Sequence, residues 1–142
     1  FIDNTKADIK IGGTFARYNF RSEIIDMPEP TTFESKAAYY VVLFHELIHW
    51  AVDNPRLGIS TARFLGRLRN NPAAYDFEFG YEELRAHIGA GLLCIHFGLN
   101  PDSHIDRPRL LEKSFKQVGY SHRALKFALR EAKRTVRFLL SL

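Results

Sequence analysis

His45-Glu46-Leu47-Ile48-His49 is the stretch that decides how this sequence folds and which chemistry it supports. Two histidines four residues apart lie one turn above each other on the same face of an α-helix, so both imidazoles reach a single metal ion. The carboxylate of Glu46 lies close enough to take a proton from a water molecule held by that metal without being a ligand itself. The pattern therefore predicts a helix that carries a metal site, with Zn²⁺ as the metal.

The residues around the motif are almost all apolar from Ala37 to Val52, which predicts a helix buried on nearly all sides. Thr31 or Thr32 is expected to cap its N-terminus, and Asn54 before a proline is expected to end it. Unpaired polar groups in such a helix would cost several kcal/mol. Core histidines bonded to backbone carbonyls, with a neutral buried glutamate, are the alternative. A metal site is the better explanation.

A catalytic zinc ion takes three protein ligands and leaves one position for water, so one more ligand is needed. Glu83 and His87 share one face of a second apolar helix, predicted over residues 81–97. Glu83 is our predicted third ligand, whereas Glu82 is turned by about 100° and is expected to be more exposed. The small residues Gly89-Ala90-Gly91 predict a close approach to the motif helix.

His87 leaves four arrangements open. In the first arrangement, His87 bonds the ring nitrogen of His45 or His49 that does not face the metal, and so orients that histidine. In the second arrangement, His87 replaces Glu83 as the third ligand. If His87 and Glu83 both bind, four protein ligands close the site and make it structural. In the fourth arrangement His87 is a satisfied core histidine.

Composition and charge indicate one soluble globular domain of 142 residues with a net charge of +4. The single cysteine, Cys94, indicates a reducing compartment such as the cytoplasm, and no apolar run is long enough to span a membrane. The first residue is not Met, so we expect a piece of a longer protein.

Residues 106–142 contain ten Lys and Arg against three Asp and Glu. We interpret this basic region as a solvated helix face, with contact to nucleic acid as the alternative.

The order of predicted elements indicates an α+β fold, a small N-terminal antiparallel sheet followed by a helical bundle. The predicted elements are a helix end within residues 1–6, strands at 7–11, 15–20 and 23–27, the motif helix, a short helix at 60–69, and helices at 81–97, at 108–118 and from Ser121 onward.

The chain resembles the C-terminal zincin-like domain of ArdC-type antirestriction proteins, and more distantly the zincins of the ImmA/IrrE type. The residues that carry the resemblance are Phe33 to Trp50, Tyr81-Glu82-Glu83-Leu84-Arg85-Ala86, Gly89-Ala90 through Leu93-Cys94, Ala7-Asp8-Ile9, Ile25-Asp26-Met27-Pro28 and Asn54-Pro55-Arg56-Leu57. The family pattern usually has an acidic residue where this chain has His87. Residues 107–117 are also more charged than the aromatic helix usual there.

The resemblance implies His45, His49 and Glu83 as zinc ligands and Glu46 as the catalytic carboxylate. It implies a zinc metallopeptidase domain of a mobile-element protein, acting on a protein or peptide, with single-stranded DNA bound by an N-terminal domain outside this chain. The alternative function is a non-catalytic, zinc-stabilised scaffold for antirestriction or DNA binding. We expect the substrate to pair with an exposed strand near residues 24–27. The candidates for stabilising the oxyanion are Tyr18, Tyr81, His96, His104 and His122.

Overall fold

The computed structural model describes residues 1–57 and 70–142, so the helix predicted at 60–69 lies outside the described residues. The described residues form three strands and five α-helices: α1 (Ile2–Thr5), β1 (Asp8–Ile11), β2 (Arg17–Asn19), β3 (Ile24–Met27), α2 (Lys36–Asp53), α3 (Pro72–His96), α4 (Arg107–Gln117) and α5 (His122–Leu140). This arrangement confirms the predicted α+β class. None of the described helices combines the length and the apolar character needed to cross a membrane.

The sheet is mixed, with β3 between β1 and β2. Strands β2 and β3 are antiparallel, with Tyr18 opposite Ile25, whereas β1 runs parallel to β3 with Ile9 opposite Ile25. The predicted all-antiparallel sheet was therefore wrong for β1. Strand β2, joined to β3 in a hairpin, pairs with one edge of β3. Strand β1 therefore pairs with the other edge, and it runs in the same direction as β3. Ile25 and Met27 on the central strand are fully buried, and β2 remains at the edge.

The motif helix α2 begins after Ser35, whose side chain accepts a hydrogen bond from the backbone N–H of Ala38. The predicted caps Thr31 and Thr32 lie instead in a short 3₁₀ turn, Pro30–Thr32. A capping side chain bonds the backbone N–H two or three residues after it. Because the helix starts at Lys36, Thr31 and Thr32 lie too far before its first free N–H groups, and Ser35 is correctly placed. The helix ends at Asp53, with Asn54 in an extended conformation, as predicted.

Helix α3 begins at Pro72 and not after Gly80 as predicted. The Asn71 side chain accepts from the backbone N–H of Ala74, and a proline at the first helical position needs no N–H partner. Gly80 lies within this helix, and α4 packs closely against it. A Cβ at residue 80 would lie 2.3 Å from the Cβ of Gln117.

Helices α2 and α3 pack closely at Gly89, as the small residues Gly89-Ala90-Gly91 predicted. A Cβ at residue 89 would lie 2.6 Å from Ile48 Cδ1 and 2.8 Å from Ile48 Cγ1. Gly91 serves a different neighbour, since a Cβ there would meet the Arg107 guanidinium. One apolar core joins β3, α2, α3 and α5, and it holds the motif face of α2 against α3.

Substitution of Gly89 by alanine is expected to lower the free energy of unfolding by about 1–3 kcal/mol, because the added methyl group overpacks the α2–α3 interface. Ile48→Val removes the nearest clashing atom, so Gly89→Ala with Ile48→Val should cost less than the sum of the two single changes. Denaturant unfolding of all four proteins measures this coupling. Additive effects, within about 0.5 kcal/mol, would contradict the close approach.

The basic residues of α5 lie on its exposed side, while Ala128, Ala132 and Leu139 on its other side are fully buried. Ser121 caps this helix as predicted, by accepting from the backbone N–H of Ala124. Arg134 donates to the carbonyl of Leu57, and further ion pairs join α5 arginines to Glu131. This distribution agrees with the solvated-face interpretation of the basic region.

Candidate metal centre

His45, His49 and Glu83 meet between α2 and α3. The two Nε2 atoms of the histidines are 3.1 Å apart. Glu83 Oε2 lies 3.4 Å from His45 Nε2, and Glu83 Oε1 lies 3.3 Å from His49 Nε2. The three residues are partly exposed, and their ligand-type atoms lie within 4.8 Å of one another. We call these three residues the metal-binding group, after the ligand types that they offer. The two helices therefore bring these three side chains to one point.

This group fits a divalent metal ion. Nitrogen and oxygen ligands bound tetrahedrally at about 2.1 Å from zinc lie roughly 3.4 Å from each other. The observed separations of 3.1, 3.3 and 3.4 Å are close to that value. Two imidazoles and one carboxylate are also the ligand types of a catalytic zinc site with an open position.

The charges of the group depend on each other. Burial alone would lower the pKa of His49, but the hydrogen bond and negative charge of Glu83 outweigh burial and raise that pKa to about 9. Burial would raise the pKa of Glu83, whereas its hydrogen bonds with His45 and His49 hold it well below the usual range. Glu83 is consequently an anion at neutral pH, which is the form that binds a metal.

Glu46 is buried beside the group, and the edge strand positions its carboxylate. The backbone N–H of Tyr18 in β2 donates to Glu46 Oε2 at 2.6 Å. This contact was not predicted, because a backbone N–H leaves no signature in a sequence. Glu46 lines the cavities on both sides of the metal-binding group. It is therefore placed next to the group, where a catalytic carboxylate is required.

His87 is buried one turn after Glu83, and its ring packs on the ring of His45 with 4.5 Å between centroids. Burial, helped by the nearby His45 ring, lowers the pKa of His87 to about 3. The ring is therefore neutral at physiological pH. Among the described residues, the metal-capable group consists of His45, His49 and Glu83 without His87.

Glu82 is buried, in contrast to the predicted exposure, and it forms an ion pair with Arg85. The prediction placed Glu82 in the first turn of a helix starting at residue 81. Because α3 begins nine residues earlier, Glu82 is in the middle of a packed helix, where a charged side chain needs a partner.

Two cavities flank the metal-binding group, and both are lined by Ala16, His45, Glu46 and Glu83. The aromatic cavity, of about 420 Å³, is also lined by Phe20, Tyr75 and Phe79, among others. The Arg107 cavity, of about 250 Å³, is also lined by Val41, Val42, His87, Ala90, His104, Arg107 and Leu110. Because they share these four residues, the two cavities are treated together as the cleft of the site.

Two expectations about this cleft are changed by the structure. Strand β3 (24–27) is paired on both sides, so it offers no edge to a substrate, and β2 is the edge strand beside the cleft. Of the predicted oxyanion candidates, Tyr18 and His104 line the cleft, whereas Tyr81, His96 and His122 line neither of its two cavities. Arg107 reaches the cleft from α4, and no spacing in the sequence had indicated it.

A small sheet, a helix with the HExxH pattern and a glutamate from the following long helix together define a zincin-like metallopeptidase domain. The chain belongs to the zincin-like metallopeptidase family MPTase-PolyVal, which matches residues 1–128. This match and the ArdC structures described next confirm the resemblance found in the sequence.

Solved structures of the antirestriction protein ArdC from the R388 plasmid share the fold. The metal-free form superposes with a TM-score of 0.71 and 29% identity, over 98% of this chain and 47% of that chain. The Mn(II)-bound form gives a TM-score of 0.73 and 28% identity, over 99% and 49%. The protein y4eC of Sinorhizobium fredii (strain NBRC 101917 / NGR234) is 27% identical over 118 residues, 83% of this chain and 36% of that protein. The chain thus spans about a third to a half of these relatives.

Proposed function

We propose that residues 1–142 form one zinc-dependent metallopeptidase domain of an antirestriction-type protein carried by a mobile element. The meeting of His45, His49 and Glu83 beside a buried Glu46 is the observation that supports this proposal. A site that only stabilised the fold would need a fourth protein ligand and no neighbouring carboxylate. The Mn(II) of the related ArdC structure supports a divalent metal in this domain as well.

His45, His49 and Glu83 are the residues that would hold the zinc ion. When bound, the ion supplies Lewis-acid activation of a water molecule and of the peptide carbonyl that is attacked. Zinc is preferred to harder cations because two of the three ligands are imidazoles. The assignment of these three side chains as ligands remains part of the proposal.

Glu46 is the proposed general base. Its carboxylate accepts one proton from the attacking water, whose oxygen adds to the carbonyl carbon, and then delivers that proton to the nitrogen of the leaving amine as the C–N bond breaks. The N–H of Tyr18 fixes one carboxylate oxygen and limits its rotation. General acid–base catalysis of this kind contributes about 10²–10⁴-fold to the rate.

The substrate backbone is proposed to lie along the outer edge of β2, across the border between the two cavities. Arg17 and Tyr18 of this strand and Ala16 just before it line the cleft. An edge strand has backbone groups on its outer side that the sheet does not pair, and of these the N–H of Tyr18 is held by Glu46. The cleaved bond then lies over the metal-binding group, with substrate side chains in the aromatic cavity and in the Arg107 cavity.

A non-catalytic scaffold is the alternative that this proposal has to exclude. The related ArdC protein is an antirestriction protein, and this chain covers about half of its length. Binding of single-stranded DNA through another part of a longer protein would be compatible with either function. The two functions differ in one respect: the scaffold needs the metal but does not need Glu46.

The decisive experiment incubates the zinc-loaded protein with a complex mixture of peptides and identifies new termini by mass spectrometry. We expect new N- and C-termini that appear with zinc and disappear when a chelator removes it. Re-addition of zinc should restore them. A metal-loaded, folded protein that generates no new termini in this mixture would contradict the peptidase proposal and favour the scaffold.

A further inference from the structure

The Arg107 cavity has a basic end that peptide hydrolysis by the metal centre does not require. Its walls are apolar at Val41, Val42, Ala90 and Leu110, and its basic residues are Arg107 and His104. The opposite end is formed by the metal-binding group and Glu46. The cavity is therefore lined by acidic as well as basic side chains.

Arg107 is held rigidly at this end. Its Nη1 donates to Asp102 Oδ1 at 2.9 Å, and its Nη2 donates to the carbonyl of His87 at 3.2 Å. The guanidinium lies against the backbone of α3 at Gly91, where a Cβ would come within 2.8 Å of Nη2. A pre-positioned guanidinium binds an anion without losing further conformational freedom.

The ion pair with Asp102 does not cancel the positive charge inside the cavity. The Asp102 side chain is 68% exposed, whereas that of Arg107 is 14% exposed. Water screens the outer carboxylate more strongly than the enclosed guanidinium.

Hydrogen-bond donors remain at this end of the cavity. A guanidinium has five N–H groups, and the two contacts of Arg107 use only part of them. Its Nε is shielded from solvent and is therefore not one of these donors, which are the remaining N–H groups of Nη1 and Nη2. The Nδ1 atom of His104 accepts a hydrogen bond from the backbone N–H of Asp106 at 3.2 Å, which leaves Nε2 as the ring atom that can donate. The cavity thus combines donors and positive charge with apolar walls.

We propose that the Arg107 cavity binds a carboxylate group of the substrate, next to the bond that is cleaved. This carboxylate belongs either to an aspartate or glutamate side chain or to the free C-terminus of a peptide. At about 250 Å³, the cavity is smaller than the roughly 300–1,000 Å³ pockets of drug-sized ligands, so it fits a single side chain. The inference rests on the proposed peptidase function and adds the substrate class to it.

The test measures binding rather than cleavage. Zinc-loaded Glu46→Gln protein is immobilised and exposed to random hexapeptides with acetylated N-termini, in one pool with C-terminal amides and in another with free C-terminal carboxylates. Mass spectrometry identifies the peptides retained. We expect about tenfold enrichment of Glu and Asp over Gln and Asn at one position of the amide pool, as a charge-assisted hydrogen bond provides. About tenfold stronger retention of the acid pool would identify the C-terminus as the source.

Variants at residues 107 and 109 show which side chain is responsible. Arg107→Gln in the same background should abolish the enrichment, and Arg107→Lys, which keeps the charge, should retain part of it. Arg109→Gln is the matched control, because Arg109 is in the same helix with a 75% exposed side chain, and it should leave the enrichment unchanged. Circular dichroism checks that each variant folds. If Arg107→Gln does not fold, Arg107→Lys is used to test whether residue 107 is responsible for the enrichment.

Three results would overturn the inference: no retention of any peptide, equal retention of acidic and amide side chains and termini, or a preference that persists in Arg107→Gln. The last result would mean that the carboxylate binds the metal. Cleavage of the same pools by the zinc-loaded protein with Glu46 intact reports separately on the proposed function. Arg107-dependent enrichment without cleavage would refute the peptidase and keep the carboxylate site, and cleavage without enrichment would do the reverse.

Discussion

Replacement of Glu46 by glutamine is expected to lower the rate of peptide hydrolysis by about 10²–10⁴-fold, because the amide cannot accept the proton of the attacking water. Glutamine keeps an oxygen that accepts the 2.6 Å hydrogen bond from the N–H of Tyr18, so the contact with β2 is retained. Since Glu46 is not a proposed ligand, zinc content should not change. Rates are measured on a peptide found to be cleaved, and zinc by atomic emission.

A matched control for this change is Glu78→Gln, which makes the same substitution in α3 at a residue that lines neither cavity of the cleft. It should leave the rate within about twofold of the unmodified protein, as surface substitutions usually have small effects. Hydrolysis by the Glu46→Gln protein at an undiminished rate would show that another group moves the proton. Antirestriction activity in a longer protein that survives Glu46→Gln would separate that function from proteolysis.

Loss of the Glu83 carboxylate is expected to weaken zinc binding by at least about 100-fold, more than the effect of losing a residue that only orients a ligand. Glu83→Gln preserves the size of the side chain but removes the charge that faces both histidines. Binding to the folded state stabilises a protein by about 4 kcal/mol at a ligand concentration 1,000 times the Kd. At that same zinc concentration, a 100-fold loss of affinity leaves about 1.4 kcal/mol of this stabilisation, a decrease that thermal unfolding detects. Competition with a chromogenic chelator measures the affinity directly.

His87→Gln is the informative comparison, since it separates the arrangements that the sequence left open. If His87 only orients His45, its loss should cost roughly tenfold in zinc affinity, and less than the loss of Glu83. A larger loss for His87→Gln than for Glu83→Gln would make the histidine the third ligand instead. His96→Ala, at the exposed end of α3, should leave zinc affinity unchanged.

The part of the site within α2 was predictable because helical spacing has a direct geometric consequence. His45 and His49 are one turn apart whatever surrounds the helix, and the position of Glu46 follows from theirs. The pairing with Glu83 was inferred from ligand number and from the small residues that allow α3 to approach. The structure brings these three side chains together, whereas their function as ligands stays a prediction.

Contacts between distant segments that no ligand requirement implies could not be predicted from the sequence. The N–H of Tyr18 reaches Glu46 only because the β2–β3 hairpin places β2 at the edge of the sheet. Arg107 enters the cleft through the packing of α4 on α3, which no periodicity encodes. The prediction that Glu82 is exposed was wrong because it placed the start of the helix nine residues too late.

The division of the cleft into two unlike halves has a consequence for inhibitor design. The halves share Glu46 and Glu83, so one compact zinc-chelating group at their border can carry an aryl arm toward Tyr75 and Phe79 and an acidic arm toward Arg107. Each arm occupies space that the other leaves free, and a rigid linker would hold both in register. Selectivity over metalloenzymes with uniformly apolar clefts would then come from the acidic arm alone.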